Sequence, residues 1–467
     1  MKKILSLVVS SCICITMQAQ QIEGTLQKAI NSLVQDDQFK YASYSICVLD
    51  GNSGKILFKV NENQALAPAS CLKVLTAATA LKKLGPRYQY KTRLQYTGHI
   101  DSAGTLHGDI IIKGGGDPSL ASPRWSSTIE EKLLDKWTAA LQGIGIKKVN
   151  GRIIGDDSFF DTQTTPDGWI VQDIGNYYGA GPSGLSWREN QFDILLKPTQ
   201  TGKEVEYIQM KPWIPQLTLV NELTTGANGT GDNAYVYSAP YSNIAYMRGT
   251  VGADERNFDI SASTPDPALD AAFRLRTALK SGGIDVTGEF TTVRRNQQAI
   301  PAEGTTIDIT TSPGLDKIIF WFLRKSVNLF GEHLIKTIAY EEHLPVSTKN
   351  GVTALRSIWQ MEGIDSNSMN IFDGSGLSPA NRITTESLAK VMFLAQKEPW
   401  FNVFYDALPT INQLKMKDGY INGVRSYTGY ATAKNGHKYV FSFIVNNFVG
   451  SPGTARQKMW RLLDELK

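Results

Sequence analysis

The 467-residue chain is poor in the residues that build metal sites and disulfide frameworks. Its four cysteines are Cys12, Cys14, Cys47 and Cys71; its five histidines are His99, His107, His333, His343 and His437. The first two cysteines lie in an N-terminal segment expected to be removed. The remaining two make neither a disulfide framework nor a four-ligand zinc site. They are able to pair, but the plainer reading is two small buried thiols. No HExxH or clustered spacing joins the histidines, so the chain does not read as a metal enzyme. An excess of one charge is missing too. Against 48 basic side chains stand 44 acidic ones, a net of +4, too little over this length for the basic face of a nucleic-acid binder. After the N-terminus there is no run of 18 apolar residues, and there is no internal repeat or low-complexity tract. The mature chain is therefore expected to carry no integral membrane segment.

Hydrophobic residues are 42% and charged residues 20%, the balance of a folded protein and not of a disordered one. Forty-one glycines and 10% aromatics suggest many turns and much sheet. The length is about three times that of a typical domain. At the start, Lys2 and Lys3 precede an apolar run, Ile4 to Met17, with no further charge before Glu23. That is the pattern of a signal peptide ending near Ala19-Gln20, over residues 1–20, and it implies export. A lipoprotein signal at Cys12 is the second reading, weakened by the short apolar stretch before it.

Residues 41–60 read as two strands around Asp50-Gly-Asn-Ser-Gly54. A helix is expected from about Ser70 to Leu84, stopped by Gly85-Pro86. From 87 to 305 strands and turns dominate, with helices near 128–143 and 267–280. Helices return at 314–342, 351–362 and 384–396. Strands follow around 418–432 and 437–446, joined at Asn435-Gly436, and a helix closes the chain at 454–466. The expected architecture is one α/β domain built from residues 21–86 and 306–467, with a β-rich insertion at 87–305.

Three short patterns carry chemistry. Ser70-Cys-Leu-Lys73 puts a hydroxyl and an amine at i and i+3 on one helix face, with Ser70 at the helix start where developing negative charge is favoured. A lysine held beside a serine serves as its general base when burial or a second cation lowers its pKa. Ser387-Leu-Ala-Lys390 fits the same spacing and reads as an ordinary helix start. Ser326-Val-Asn328 offers a hydroxyl to relay a proton and an amide to hold a substrate; Ser368-Met-Asn370 fits too and reads as a loop. For a third element, a cation beside a glycine, four of the chain's Lys-x-Gly triplets are weighed. Lys113-Gly-Gly115 opens a glycine loop, Lys280-Ser-Gly282 ends a helix, and Lys434-Asn-Gly436 is a hairpin turn. Lys417-Asp418-Gly419 opens a strand beside the final hairpin, after the other two patterns in chain order.

Ser-x-x-Lys, Ser-x-Asn and Lys-x-Gly, in that order in an exported chain, resemble the penicillin-recognising serine enzymes. The roughly 250 residues between Lys73 and Ser326 resemble the insertion of the class C low-molecular-mass penicillin-binding proteins, the D-alanyl-D-alanine carboxypeptidase/endopeptidase family. The resemblance extends over nearly all of the mature chain. It includes Pro68–Lys73, Gly114-Gly-Gly-Asp-Pro118, Gly155-Asp-Asp-Ser158, Asp373–Ser378 and Gly423–Tyr430. It implies a β-lactamase-like α/β (α+β) fold, an antiparallel sheet flanked by helices. It also implies action on peptidoglycan stem peptides or crosslinks, covalent inhibition by β-lactams, and a periplasmic location. In that family's terms Ser70 is the nucleophile and Lys73 its base. Ser326 shuttles a proton to the leaving amine and Asn328 binds the substrate amide. Lys417 supplies positive charge, and the N–H groups of Ser70 and Tyr420 form the oxyanion hole. No metal or organic cofactor is implied. Glu332 gets only a supporting place in its helix.

The sequence departs from the family at Asp418, where threonine or serine is usual. A carboxylate about 4 Å from a substrate carboxylate repels it by ~4 kcal/mol at an effective dielectric near 20, unless Asp418 turns away, is protonated, or is neutralised by Lys417 or Arg425. The stretch between Ala407-Leu-Pro409 and Lys417 is also short. Two readings follow: a substrate lacking a carboxylate there, or a degenerate homologue that binds cell-wall peptides with weak or no turnover; a β-lactamase or esterase is a third. Cys71 is read as packed, Gly114–Gly116 as a strand-end turn without a phosphate, and Trp169–Trp187 either as core or as the insertion's face towards the cleft.

Overall fold

Alternating apolar residues at both ends of the chain build one sheet. The computed structural model describes residues 22–256, 258–295 and 304–467; the signal expected at 1–20, with Cys12, lies outside them. By packing, the chain divides into two units. The first holds the residues up to Pro86, Ile319–Ser326 and Val352–Lys467; the second holds Arg87–Ile318 and Val327–Gly351.

The first unit centres on a six-stranded antiparallel sheet in the order Ile56–Val60, Ser43–Asp50, Lys438–Asn446, Val424–Thr432, Leu414–Ile421, Thr410–Ile411. Period-two alternation assigns its faces. Ile46, Val48, Tyr427, Phe441 and Phe443 point into an apolar core shared with a helix over 22–34 and with the helix Pro452–Asp464. The helix over 22–34 supplies Leu26, Ile30 and Leu33 to that core at helical spacing, a pattern the sequence reading passed over. The opposite face is lined by small polar side chains. Ser45 and Thr385 share a 2.6 Å hydrogen bond, Thr428 and Ser442 one of 2.9 Å, and the helix Thr385–Ala395 packs there. With both faces covered, Val424–Thr432 is buried along nearly its whole length.

Several expected boundaries move. The single strand drawn over 418–432 is two, Leu414–Ile421 and Val424–Thr432, because Asn422-Gly423 turns the chain with Gly423 at φ 70°, a left-handed position that suits glycine. Lys417 therefore sits mid-strand instead of opening one. The short stretch before it is a hairpin in which Asn412 and Gln413 both have positive φ, 48° and 61°, the geometry that matches strand twist. The helix expected over 314–342 is broken into Leu315–Arg324 and Asn328–Glu341. Cys47 and Cys71 are both buried free thiols, and burial pushes them up to about 12 and about 11.

The second unit is β-rich, and its helices Glu130–Gly143 and Pro267–Ser281 fall where the periodicity places them. Asp266 caps the latter through Leu269 N at 3.0 Å, with Pro267 in the first turn. These helices enclose Trp137, Leu141, Leu275 and Leu279 against a five-stranded mixed sheet. Trp187 is fully buried, its ring 5.9 Å from that of Trp137, so at this end the Trp169–Trp187 stretch is core. The unit also takes 306–318 and 327–351, which the sequence reading grouped with the N-terminal 86 residues. The reason is pairing and packing: Thr305–Thr311 adds to the edge strand Lys91–Tyr96, and buried His333 bonds Ser186 Oγ at 2.9 Å and Gly116 O at 2.8 Å. Among the described residues, no helix is long and apolar enough to cross a membrane.

Candidate active site

Ser70 lies in a tight 3-10 turn, Ala69–Cys71, directly ahead of the helix Leu72–Leu84. The turn begins at Ala69 with φ 44°, a conformation an alanine adopts at a cost and holds only when its surroundings fix it. Lys73 is fully buried in the first turn of the helix. Helical spacing brings its amine under Ser70, with Nζ 3.0 Å from Oγ. The same Nζ donates to the carbonyl of Ser375 at 2.7 Å, and the Phe322 ring lies 5.9 Å away.

The Ser375 carbonyl is held in place by a buried loop. The Asp373 carboxylate accepts hydrogen bonds from Gly376 N at 2.8 Å, Ser378 N at 2.7 Å and Asn381 Nδ2 at 2.9 Å. Thr76, one turn beyond Lys73, donates to Gly374 O at 2.7 Å. Gly376, at φ 82°, passes so close to the Ser70 turn that an added Cβ would lie 1.9 Å from Ala69 O. Sequence reading noted this Asp-Gly-Ser-Gly-Leu-Ser run but gave it no task. Its turn residues and lone acid were the available signal.

On its other side the turn meets the strand Leu414–Ile421. Cys71 Sγ donates to Lys417 O at 3.2 Å and Ser426 Oγ donates to Pro68 O. A Cβ on Gly419 would stand 2.3 Å from Ser426 Oγ, 2.6 Å from Pro68 O and 2.9 Å from Ser70 N. Glycine is thus required for close approach, and the strand runs against the turn that carries the Ser70 amide. The next residue, Tyr420, is 45% exposed. Cys71 is a packed thiol, as read.

Lys417 is 2% exposed, and its Nζ donates to Asp418 O at 2.7 Å and to Asp418 Oδ1 at 3.0 Å. Burial works to raise the Asp418 pKa, but the charge of Lys417, its hydrogen bond and the charge of Arg425 outweigh it, and the carboxyl is held below the usual range. The Arg425 guanidinium rests 4.9 Å over the Tyr420 ring. Asp418 is therefore an ionised partner of Lys417.

Ser326 is half-buried between the two helix halves at φ 57°, and it ends the segment Ile319–Ser326 of the first unit. The break has a local cause: Val327 is extended, with φ −68° and ψ 106°, and precedes the helix Asn328–Glu341. Asn328 heads that helix in the second unit, where its Nδ2 donates to Tyr178 O at 2.8 Å. Ser70, Lys73, Ser326, Lys417, Asp418, Gly419 and Tyr420 all belong to the first unit.

The rejected alternatives have structural tasks. Ser387 bonds Thr384 and Ser368 hydroxyls while Lys390 pairs with Glu386 at 2.6 Å, an ordinary helix start. Gly114 and Gly115 face Gly184 O and Lys91 O, which a Cβ would approach to 2.2 and 2.1 Å, so they are demanded by packing.

Comparison with known proteins points one way. The profile of the D-Ala-D-Ala carboxypeptidase 3 (S13) family matches residues 26–411. A D-alanyl-D-alanine carboxypeptidase of Actinomadura sp. is 24% identical over 92% of this chain and 83% of its own length. Another from Haemophilus influenzae is 24% identical over 85% and 86%. The crystal structure of penicillin binding protein 4 from Haemophilus influenzae superposes with a TM-score of 0.79 at 22% identity, covering 93% of this chain and 98% of that one. That likeness establishes the fold, the helix-flanked antiparallel sheet expected from the sequence.

Proposed function

Because the chain belongs to the D-Ala-D-Ala carboxypeptidase 3 (S13) family, we propose that it is a serine hydrolase of D-alanyl peptide bonds in peptidoglycan, working through an acyl-enzyme on Ser70. The observation that carries this is the Lys73 amine 3.0 Å from the Ser70 hydroxyl, fixed from behind by the Ser375 carbonyl. Ser70 Oγ attacks the carbonyl carbon of the D-alanine before the scissile bond, and its proton passes to Lys73. The backbone N–H groups of Ser70 and Tyr420 receive the oxyanion. When the tetrahedral intermediate collapses, the C–N bond breaks and the leaving amine takes a proton through Ser326, leaving an ester on Ser70. Water then attacks the ester carbonyl, yields a proton to Lys73, and frees the serine and a carboxylic acid. Lys417 places positive charge at the site. β-Lactams acylate the same serine; a second crystal structure of the Haemophilus influenzae protein is described as a complex with a novel β-lactam. The Lys2-Lys3 start and its apolar run support export, with the enzyme acting in the periplasm.

Intact-mass spectrometry after incubation with a penicillin, alongside an assay of acyl-D-alanyl peptide cleavage, tests this. Wild type is expected to gain one adduct mapped to Ser70 and to cleave peptide; Ser70→Ala is expected to do neither. A wild-type protein with no adduct and no cleavage sinks the hydrolase reading.

A further inference from the structure

On the strand Leu414–Ile421 the solvent-facing charge of the lysine–aspartate pair is that of Asp418, not of Lys417. The Asp418 side chain is 39% exposed and that of Lys417 only 2%. Of the three N–H bonds of the ammonium, one points to the Asp418 carbonyl and one to its carboxylate. The cation is therefore screened by its own neighbour, and the pair together is neutral. Arg425 is 8% exposed and held over the Tyr420 ring, a second and weaker positive charge on Asp418 after that of Lys417. A substrate carboxylate arriving here finds a like charge on the exposed Asp418, while the cations of Lys417 and Arg425 lie buried behind it. A carboxamide finds complements: its carbonyl accepts the third Lys417 N–H, and its N–H donates to Asp418 Oδ2.

We propose that Asp418 is a specificity-determining residue that selects substrates whose residue after the scissile bond carries a neutral carboxamide — an amidated terminus or a continuing peptide bond — over substrates ending in a free carboxylate. This rests on the reading of Ser70 as the nucleophile. It goes beyond that reading by naming the substrate class. Rejection works through an unpaired like charge, the usual way a site excludes a near-identical ligand.

The test uses two peptides identical except at the end: N-acetyl-L-Lys-D-Ala-D-Ala with a free carboxylate, and the same peptide as its C-terminal amide. Binding is measured by calorimetry on Ser70→Ala protein, so that no turnover is needed, and cleavage by product mass on wild type. Ser70→Ala is expected to bind the amide at least tenfold more tightly. Adding Asp418→Thr is expected to remove or reverse that preference, and Asp418→Asn, which keeps the shape, to shift it the same way. Equal or tighter binding of the carboxylate form, an unchanged preference in both Asp418 variants, or no binding of either peptide overturns the proposal. Selective binding with no cleavage by wild type removes the hydrolase reading and leaves the selection standing. Cleavage that favours the carboxylate form does the opposite.

Discussion

Gly419 shows how much of the site depends on one missing methyl group. The strand Leu414–Ile421 lies so near the Ser70 turn that any Cβ at this position strikes Pro68 O and crowds Ser70 N. Gly419→Ala therefore has to push strand and turn apart. The expected cost is about 1–3 kcal/mol of stability, typical of overpacking, together with at least a tenfold slower acylation, because the Ser70 amide moves from its place. Stopped-flow labelling with a fluorescent penicillin and a thermal melt of the same variant check both. A variant that melts lower yet labels at the wild-type rate would show that the turn moves as a body without disturbing the oxyanion site. Cys71 is a residue for which the bland reading is sufficient. Burial pushes its thiol up to about 11, so it is a poor nucleophile beside the serine.

At the scale of elements, the Asp373–Ser378 loop is what turns a common four-residue spacing into a site. Asp373→Ala leaves three buried N–H donors, on Gly376, Ser378 and Asn381, without their acceptor. Each buried unmet donor costs about 1–3 kcal/mol, so the melting temperature is expected to fall by several degrees. Acylation is expected to fall with it, since the carbonyl that steadies Lys73 comes from this loop. Differential scanning fluorimetry and the penicillin adduct rate measure the two effects. The loop also marks the limit of sequence reading. Ser70 and Lys73 were legible because i, i+3 on a helix is a local rule. The Ser375 carbonyl lies 302 residues away from Lys73 in sequence, and nothing local announces such a contact. Lys417 was separable from the three other candidates by its order in the chain together with their own readings as a glycine loop, a helix end and a hairpin turn, and its mid-strand place follows from the Asn422-Gly423 turn that the reading overran. Likewise the helix break at Ser326 was hidden because Lys325–Val327 interrupts an otherwise continuous apolar period by a left-handed residue, which composition does not signal.

At the scale of the whole molecule, the second unit carries two buried titratable groups with opposite effects on stability. Burial raises Asp117 to about 6 although Ser119 donates to it twice. A raised carboxyl stabilises the fold at low pH, and that contribution is lost as pH rises through about 6. Burial depresses His333 to about 3. A depressed imidazole stabilises above its ordinary pKa near 6.5, and the contribution is lost as pH falls from there towards 3. Between pH 6 and 4 the two slopes oppose each other. Asp117→Asn, which retains the acceptor for Ser119, removes one of them, so its melting temperature is expected to fall more steeply from pH 6 to pH 4 than that of wild type. Parallel melts at half-unit pH steps decide it; parallel curves would mean that Asp117 titrates as an ordinary surface acid. One further feature belongs to this scale. The strand Ser43–Asp50 pairs with Lys438–Asn446, register partners such as Ser43 and Asn446 lying at opposite ends of the described chain. During synthesis Ser43–Asp50 must wait for Lys438–Asn446, while the residues of the second unit emerge between them. Closing so long a loop is slow. Ser70, the proposed nucleophile, is consequently made well before the strand Leu414–Ile421 whose Gly419 lies against its turn, so a polypeptide that has emerged only as far as the inserted unit holds Ser70 without that strand beside it.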